Sequence, residues 1–130
     1  MGKGIMVPFS ALILYHREIG IHRDRKAGFG EVFRFRTLHD LPFIRLASKV
    51  KDAYEGRHLP SHDEWPAQRE ALRWLVEKGR DAIYALDDKP VKVRHCPCTS
   101  QHYYIADGNH RALALYVLGE HGVRAKIVHS

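Results

Sequence analysis

Hydrophobic positions along this chain repeat with two different periods, and the changes of period mark its elements. Phe43, Leu46, Ala47, Val50 and Tyr54 follow the i, i+3, i+4, i+7 spacing of a helix with one buried face. Asp40 is placed to cap that helix, Pro42 is tolerated in its first turn, and Gly56 stops it. Ser61-His62-Asp63-Glu64 has capping-box spacing and predicts a second helix to about Lys78, with Trp65, Leu72, Leu75 and Val76 on its buried face. A short third helix is expected over Ala82–Leu86, before an Asp87-Asp88-Lys89-Pro90 turn.

A period of two takes over elsewhere. Val32-Phe33-Arg34-Phe35-Arg36 alternates, so a strand there turns both phenylalanines to one side and both arginines to the other. Strands are expected at 91–95 and 102–106, as a hairpin around Cys96 to Gln101, and again over Val123–Val128. Residues 20–30, with Gly20, Gly28 and Gly30 around a basic stretch, read as a loop. No repeat or linker divides the chain. The pattern predicts one α+β domain over residues 1–130, a small mixed sheet with helices packed around it and a largely helical middle segment over 31–88.

The most informative chemistry lies where strand gives way to helix. Ile105-Ala106-Asp107-Gly108-Asn109-His110-Arg111 runs into Ala-Leu-Ala-Leu-Tyr-Val-Leu, and Gly119 ends the run. Asp107, Gly108 and Asn109 supply turn and cap chemistry, Asn109 being a preferred cap type. A helix start carries partial positive charge, so a His-Arg pair there is placed against the dipole unless an anion joins it. Backbone N–H groups, a guanidinium and an imidazole converging on one point suit a phosphate. The plainer alternative is an Asp-Gly turn in which Arg111 pairs with Asp107 or with solvent.

Asp107-Gly108-Asn109-His110-Arg111, in this strand–turn–helix–strand context, resembles the core motif of the ParB/sulfiredoxin-like superfamily. Lys89-Pro90-Val91-Lys92-Val93-Arg94 is similar to that family's "P-V-x-V" strand, and Val7-Pro8-Phe9-Ser10-Ala11-Leu12-Ile13 to its opening "V-P-x-S-x-L-I" segment. His16-Arg17-Glu18-Ile19-Gly20 sits near the place of a "T-Q-x-E" stretch in one branch. The resemblance covers residues 7–20 and 89–128, about half of the chain.

The branches of that superfamily imply different chemistries, because a fold does not determine a function. Sulfiredoxins carry Gly-Gly-Cys-His-Arg; here Asn109 replaces the cysteine, and a carboxamide cannot serve as a thiol nucleophile. Sulfinic-acid reductase activity is therefore not expected. ParB proteins bind CTP through a Gly-Glu-Arg-Arg segment followed by a helix-turn-helix domain; this chain ends at Ser130, after the last expected strand, so operator reading by that route is not expected. A free-serine kinase branch has Asp-Gly-His-Thr-Arg with an acidic base, for which Glu18 is the candidate. Small stand-alone ParB-like domains, labelled nucleases, come closest.

The resemblance thus implies a domain that binds a phosphate-bearing ligand, a nucleotide or a nucleic-acid end, with nuclease, nucleotide hydrolase or phosphotransferase activity as the chemistry to expect. Gly108, Asn109 and His110 would cradle the phosphate and Arg111 would neutralise it. His110 would act as proton donor, Asp107 would orient His110 or hold a divalent ion such as Mg2+, and Glu18 would activate the nucleophile. A nucleoside di- or triphosphate would be the cofactor. The competing expectations are a non-catalytic DNA-associated module and a partner-binding domain with neither activity.

Charge bears on that choice. The chain has 21 Lys and Arg against 15 Asp and Glu, a formal net charge of +6, which permits a polyanionic partner without requiring one. Arg23, Arg25, Lys26, Arg34 and Arg36 cluster and are the candidate nucleic-acid contacts; a solvated basic surface is the plain alternative. A hydrophobic fraction of 45% fits a globular protein, and no apolar run is long enough to span a membrane. Ile5–Tyr15 is a poor signal peptide, interrupted by Pro8 and followed by His16-Arg17-Glu18, so the expected location is cytoplasmic. Cys96 and Cys98, flanked by His95 and His102, lack the two separated knuckles of a structural zinc site, and a disulfide between them would be strained. No metal site is expected from them. His58 and His62 have helical spacing, but Pro60 between them points to a loop.

Overall fold

A computed structural model describes residues 4–13, 42–60, 65–85, 90–96 and 99–129. Their order is β1 (Ile5–Pro8), a 3-10 turn (Phe9–Ala11), β2 (Leu12–Ile13), α1 (Phe43–Tyr54), α2 (Trp65–Lys78), α3 (Arg80–Ala85), β3 (Val91–Cys96), β4 (Thr99–Asp107), α4 (Asn109–Val117) and β5 (Gly122–Ile127). The protein is a mixed α+β structure. Its five strands form one sheet in the order β1-β5-β3-β4-β2. β1–β5 and β3–β4 are antiparallel, whereas β5–β3 and β4–β2 are parallel.

The helices cover one face of that sheet. Val7, Leu12, Val91, Val93, Ile105, Val123 and Ala125 are buried on the strands and join the helix residues in a single core. On α1 Phe43, Leu46, Ala47 and Val50 are buried as the spacing predicts, but Ala53 rather than Tyr54 completes the stripe, and Tyr54 is partly buried against the core. Phe9 stacks on Phe43 at 5.1 Å between centroids, and Tyr116 meets Phe9 edge-on at 5.4 Å. Tyr116 Oη also lies 3.0 Å from Ser48 Oγ, tying α4 to α1. Fully burying each large apolar side chain contributes about 1.5–3 kcal/mol.

α4 is different in kind. Ala112, Leu113, Ala114 and Leu115 are all buried, four in succession, because α4 lies among α1, α2, β3 and β5. Such a helix cannot be amphipathic, and its small alanines let neighbouring backbones approach closely.

Several expected boundaries move. α3 spans Arg80–Ala85, starting two residues before the expected Ala82. The hairpin strands reach Cys96 and restart at Thr99, shortening the expected tip. Pro42 is the cap residue of α1 and precedes the first turn, its carbonyl accepting from the Arg45 and Leu46 N–H groups. Asp40, Ser61–Glu64, Asp87–Lys89, Cys98 and the whole of 14–41 lie outside the described residues. His58, with φ of 51°, sits in the loop after α1 as expected. Among the described residues, no helix is long and apolar enough to cross a membrane.

Candidate functional site

The turn that opens α4 begins with an irregularity in the sheet. Lys92 pairs with Asp107 and Val93 with Ile105, so Ala106 is an extra residue in β4. A bulge of this kind bends a strand and re-aims the residues after it. Here it brings Asp107 opposite Lys92 and leads directly into Gly108.

Gly108 is the cap residue of α4, with φ of 108° and ψ of 28°. This corrects the expectation that Asn109 caps the helix: Asn109 is the first helical residue, and no side chain bonds the cap. The reason is steric. A Cβ at position 108 would lie 3.0 Å from Val91 Cγ2 and 3.1 Å from Arg111 Nη2, and a side chain is strained at this φ. A side chain there would have to displace Val91 and the guanidinium and hold a strained backbone, so glycine is the favoured residue. The Ala112 N–H donates to the Gly108 carbonyl at 2.9 Å, so the helix ladder offers no acceptor to the N–H groups of 109–111.

Arg111 folds back over this turn. Its side chain is 14% exposed, and Nη2 lies 3.8 Å from Asp107 Oδ2, whose side chain is 59% exposed. At that distance the pair is an ion pair without a short hydrogen bond. The guanidinium is thus held mostly out of water beside the positive end of a helix. The pairing with Asp107 is the plainer of the two sequence readings, and it stands at the helix start.

His110 is tied to α2. Its Nε2 is 2.7 Å from Gln68 Oε1 on α2. A carboxamide oxygen only accepts, so Nε2 carries the proton and donates it, which leaves Nδ1 as the other nitrogen of the ring. Gln68, 8% exposed, is the one buried polar residue among those described. Sequence reasoning passed over it, although it lies between Trp65 and Leu72 on the buried stripe of α2.

Asp107 and Arg111 thus meet across the Gly108 turn, while the His110 ring is tied to Gln68 on α2. Glu18 and the basic set Arg23, Arg25, Lys26, Arg34 and Arg36 lie outside the described residues, so their relation to the turn is not part of this geometry. Among the described residues no three His, Cys, Asp or Glu side chains gather as a metal-binding group. Asp107 could hold a Mg2+ ion only together with oxygens of a bound phosphate, the usual arrangement for that ion.

Compared with family models, curated proteins and solved structures, the chain finds no match in any of the three. The likeness to the ParB/sulfiredoxin-like superfamily stands on the motif residues alone.

Proposed function

We propose that the Asp107–Arg111 turn binds the phosphate of a nucleotide or nucleic-acid end, in a cytoplasmic domain of ParB/sulfiredoxin-like type. One observation carries this reading: the mostly buried Arg111 guanidinium lies against Gly108 at the start of α4, 3.8 Å from an exposed carboxylate. A cation beside the positive end of a helix is unfavourable, and an anion placed there would meet both. Arg111 would supply charge-assisted hydrogen bonds and the first-turn N–H groups the remaining donors.

The proton-donor role proposed for His110 would fall to Nδ1, since Nε2 is engaged by Gln68. With Nε2 protonated, a neutral ring accepts a proton at Nδ1, and an imidazolium donates one from it. Nuclease, nucleotide hydrolase and phosphotransferase activities all remain within this proposal, with Glu18 as candidate base.

The test is a thermal-shift series with inorganic phosphate, pyrophosphate and nucleoside mono-, di- and triphosphates, with and without Mg2+. A ligand of the native state raises the melting temperature. Arg111→Met keeps the aliphatic stem and removes the charge; it should abolish the shift while folding normally. A ligand shift of the same size in Arg111→Met would remove the turn as the binding site.

A further inference from the structure

We propose that the face of β3 and β5 opposite the core carries a second polyanion surface, a track for a nucleic-acid backbone built from Lys92, Arg124 and Lys126. It does not depend on the turn site.

Alternation places these residues together. In β3, Val91 and Val93 enter the core, so Lys92 and Arg94 face the other way, both half-buried; in β5, Val123 and Ala125 are buried and Arg124 and Lys126 are exposed. The parallel register sets Lys92 directly opposite Lys126. Adjacent strands lie about 4.8 Å apart, and like charges directly opposite one another are destabilising.

No carboxylate among the described residues forms a close ion pair with this row, although Asp107 stands opposite Lys92. Arg57, Arg73, Arg80 and Arg111 each have a carboxylate within 4 Å, whereas Lys92, Arg94, Arg124 and Lys126 have none among the described residues. Asp107, opposite Lys92, is 3.8 Å from Arg111, and Glu120, near the start of β5, is 3.8 Å from Arg80. Arg94, half-buried opposite the buried Tyr104 with its Nε out of solvent, is not part of the row. Arg124 is braced rather than neutralised: its guanidinium lies 5.1 Å over the Tyr84 ring, and its backbone N–H donates to Tyr84 Oη at 3.0 Å.

The spacing favours a sugar–phosphate backbone. Residues i and i+2 of a strand are about 6.6 Å apart, and each nucleic-acid strand carries a charge about every 3.4 Å. A membrane surface suits the row less, because amphipathic surface binders insert Trp, Phe or Leu beneath a basic rim, and the row holds none.

The experiment is fluorescence anisotropy of the full chain with a labelled random-sequence oligonucleotide, duplex and single-stranded, over a series of salt concentrations. Lys92→Gln/Lys126→Gln should reduce the log–log salt slope by about 1.8 on duplex and about 1.4 on single strand, at roughly 0.9 and 0.7 per phosphate contact. Lys51→Gln/Lys78→Gln, with the same loss of charge on α1 and α2, should keep the parent slope. The sheet variant should melt no lower than the parent, since a repulsion is removed; if it misfolds, the single changes Lys126→Gln and Arg124→Gln should each lower the slope by about one contact. Absence of salt-dependent binding, a parent slope in the sheet variants, or equal slope losses in both double variants would overturn the proposal. So would phosphatidylserine vesicles displacing the oligonucleotide at lower phosphate concentration than unlabelled DNA.

Discussion

The imidazole of His110 and the carboxamide of Gln68 meet at 2.7 Å, joining the second residue of α4 to the fourth residue of α2. The two residues are 42 positions apart in the chain, yet this bond sets which ring nitrogen of His110 carries the proton. It also fixes the orientation of the ring.

Gln68→Ala should destabilise the protein by about 1–3 kcal/mol, because His110 loses an acceptor in a part-buried setting and a cavity opens. Urea unfolding measures this directly. Gln68→Leu fills the space but supplies no acceptor, so it should recover part of the stability and none of the ring orientation. Equal stability of all three proteins would show that the bond contributes nothing.

Arg111→Ala removes packing as well as charge, since the side chain is mostly buried. Its ligand-free melting temperature should fall below that of Arg111→Met, and both should lose phosphate binding by about 1.5–3 kcal/mol, the worth of a charge-assisted contact. Titration of the best ligand from the thermal-shift series reads the second effect. A large ligand-free loss in Arg111→Met would instead mark the Asp107 pair as structural.

Gly108→Ala and Gly119→Ala separate strain from collision. Both positions have positive φ, 108° and 93°, but only Gly108 has atoms near the place of a Cβ. Gly119→Ala should cost about 1 kcal/mol from backbone strain alone. Gly108→Ala should cost about 1–3 kcal/mol more, as Val91 and Arg111 are displaced. Comparable unfolding midpoints for the two variants would contradict the close packing at the turn.

Phe43→Ala should cost about 3–5 kcal/mol, since the ring is fully buried and stacks on Phe9. Tyr116→Phe, which removes only the hydroxyl facing Ser48, should cost about 0.5–1.5 kcal/mol. Chemical denaturation of both places the two contributions on one scale.

Local periodicity alone determined much of this protein. The stripe Phe43, Leu46, Ala47 and Val50, the alternation around Val91 and Val93, and the glycines at 108 and 119 each report a constraint acting within a few residues. Helical and pleated backbones impose their periods on whatever sequence must bury one face. The gathering of Asp107 to Arg111 was legible for the same reason, as five consecutive residues.

Tertiary structure decided what depends on partners distant in sequence. Asn109 yielded the cap position to Gly108 because Val91 and Arg111 crowd that point, a collision no propensity scale contains. Gln68 looked like one more position on α2 until packing against α4 set it on His110. Lys92 and Lys126 each stand on the face of their strand opposite the core; only the parallel register of β3 and β5 makes them neighbours. Side chains meet according to strand order and helix packing, which the chain encodes collectively and no short window reveals.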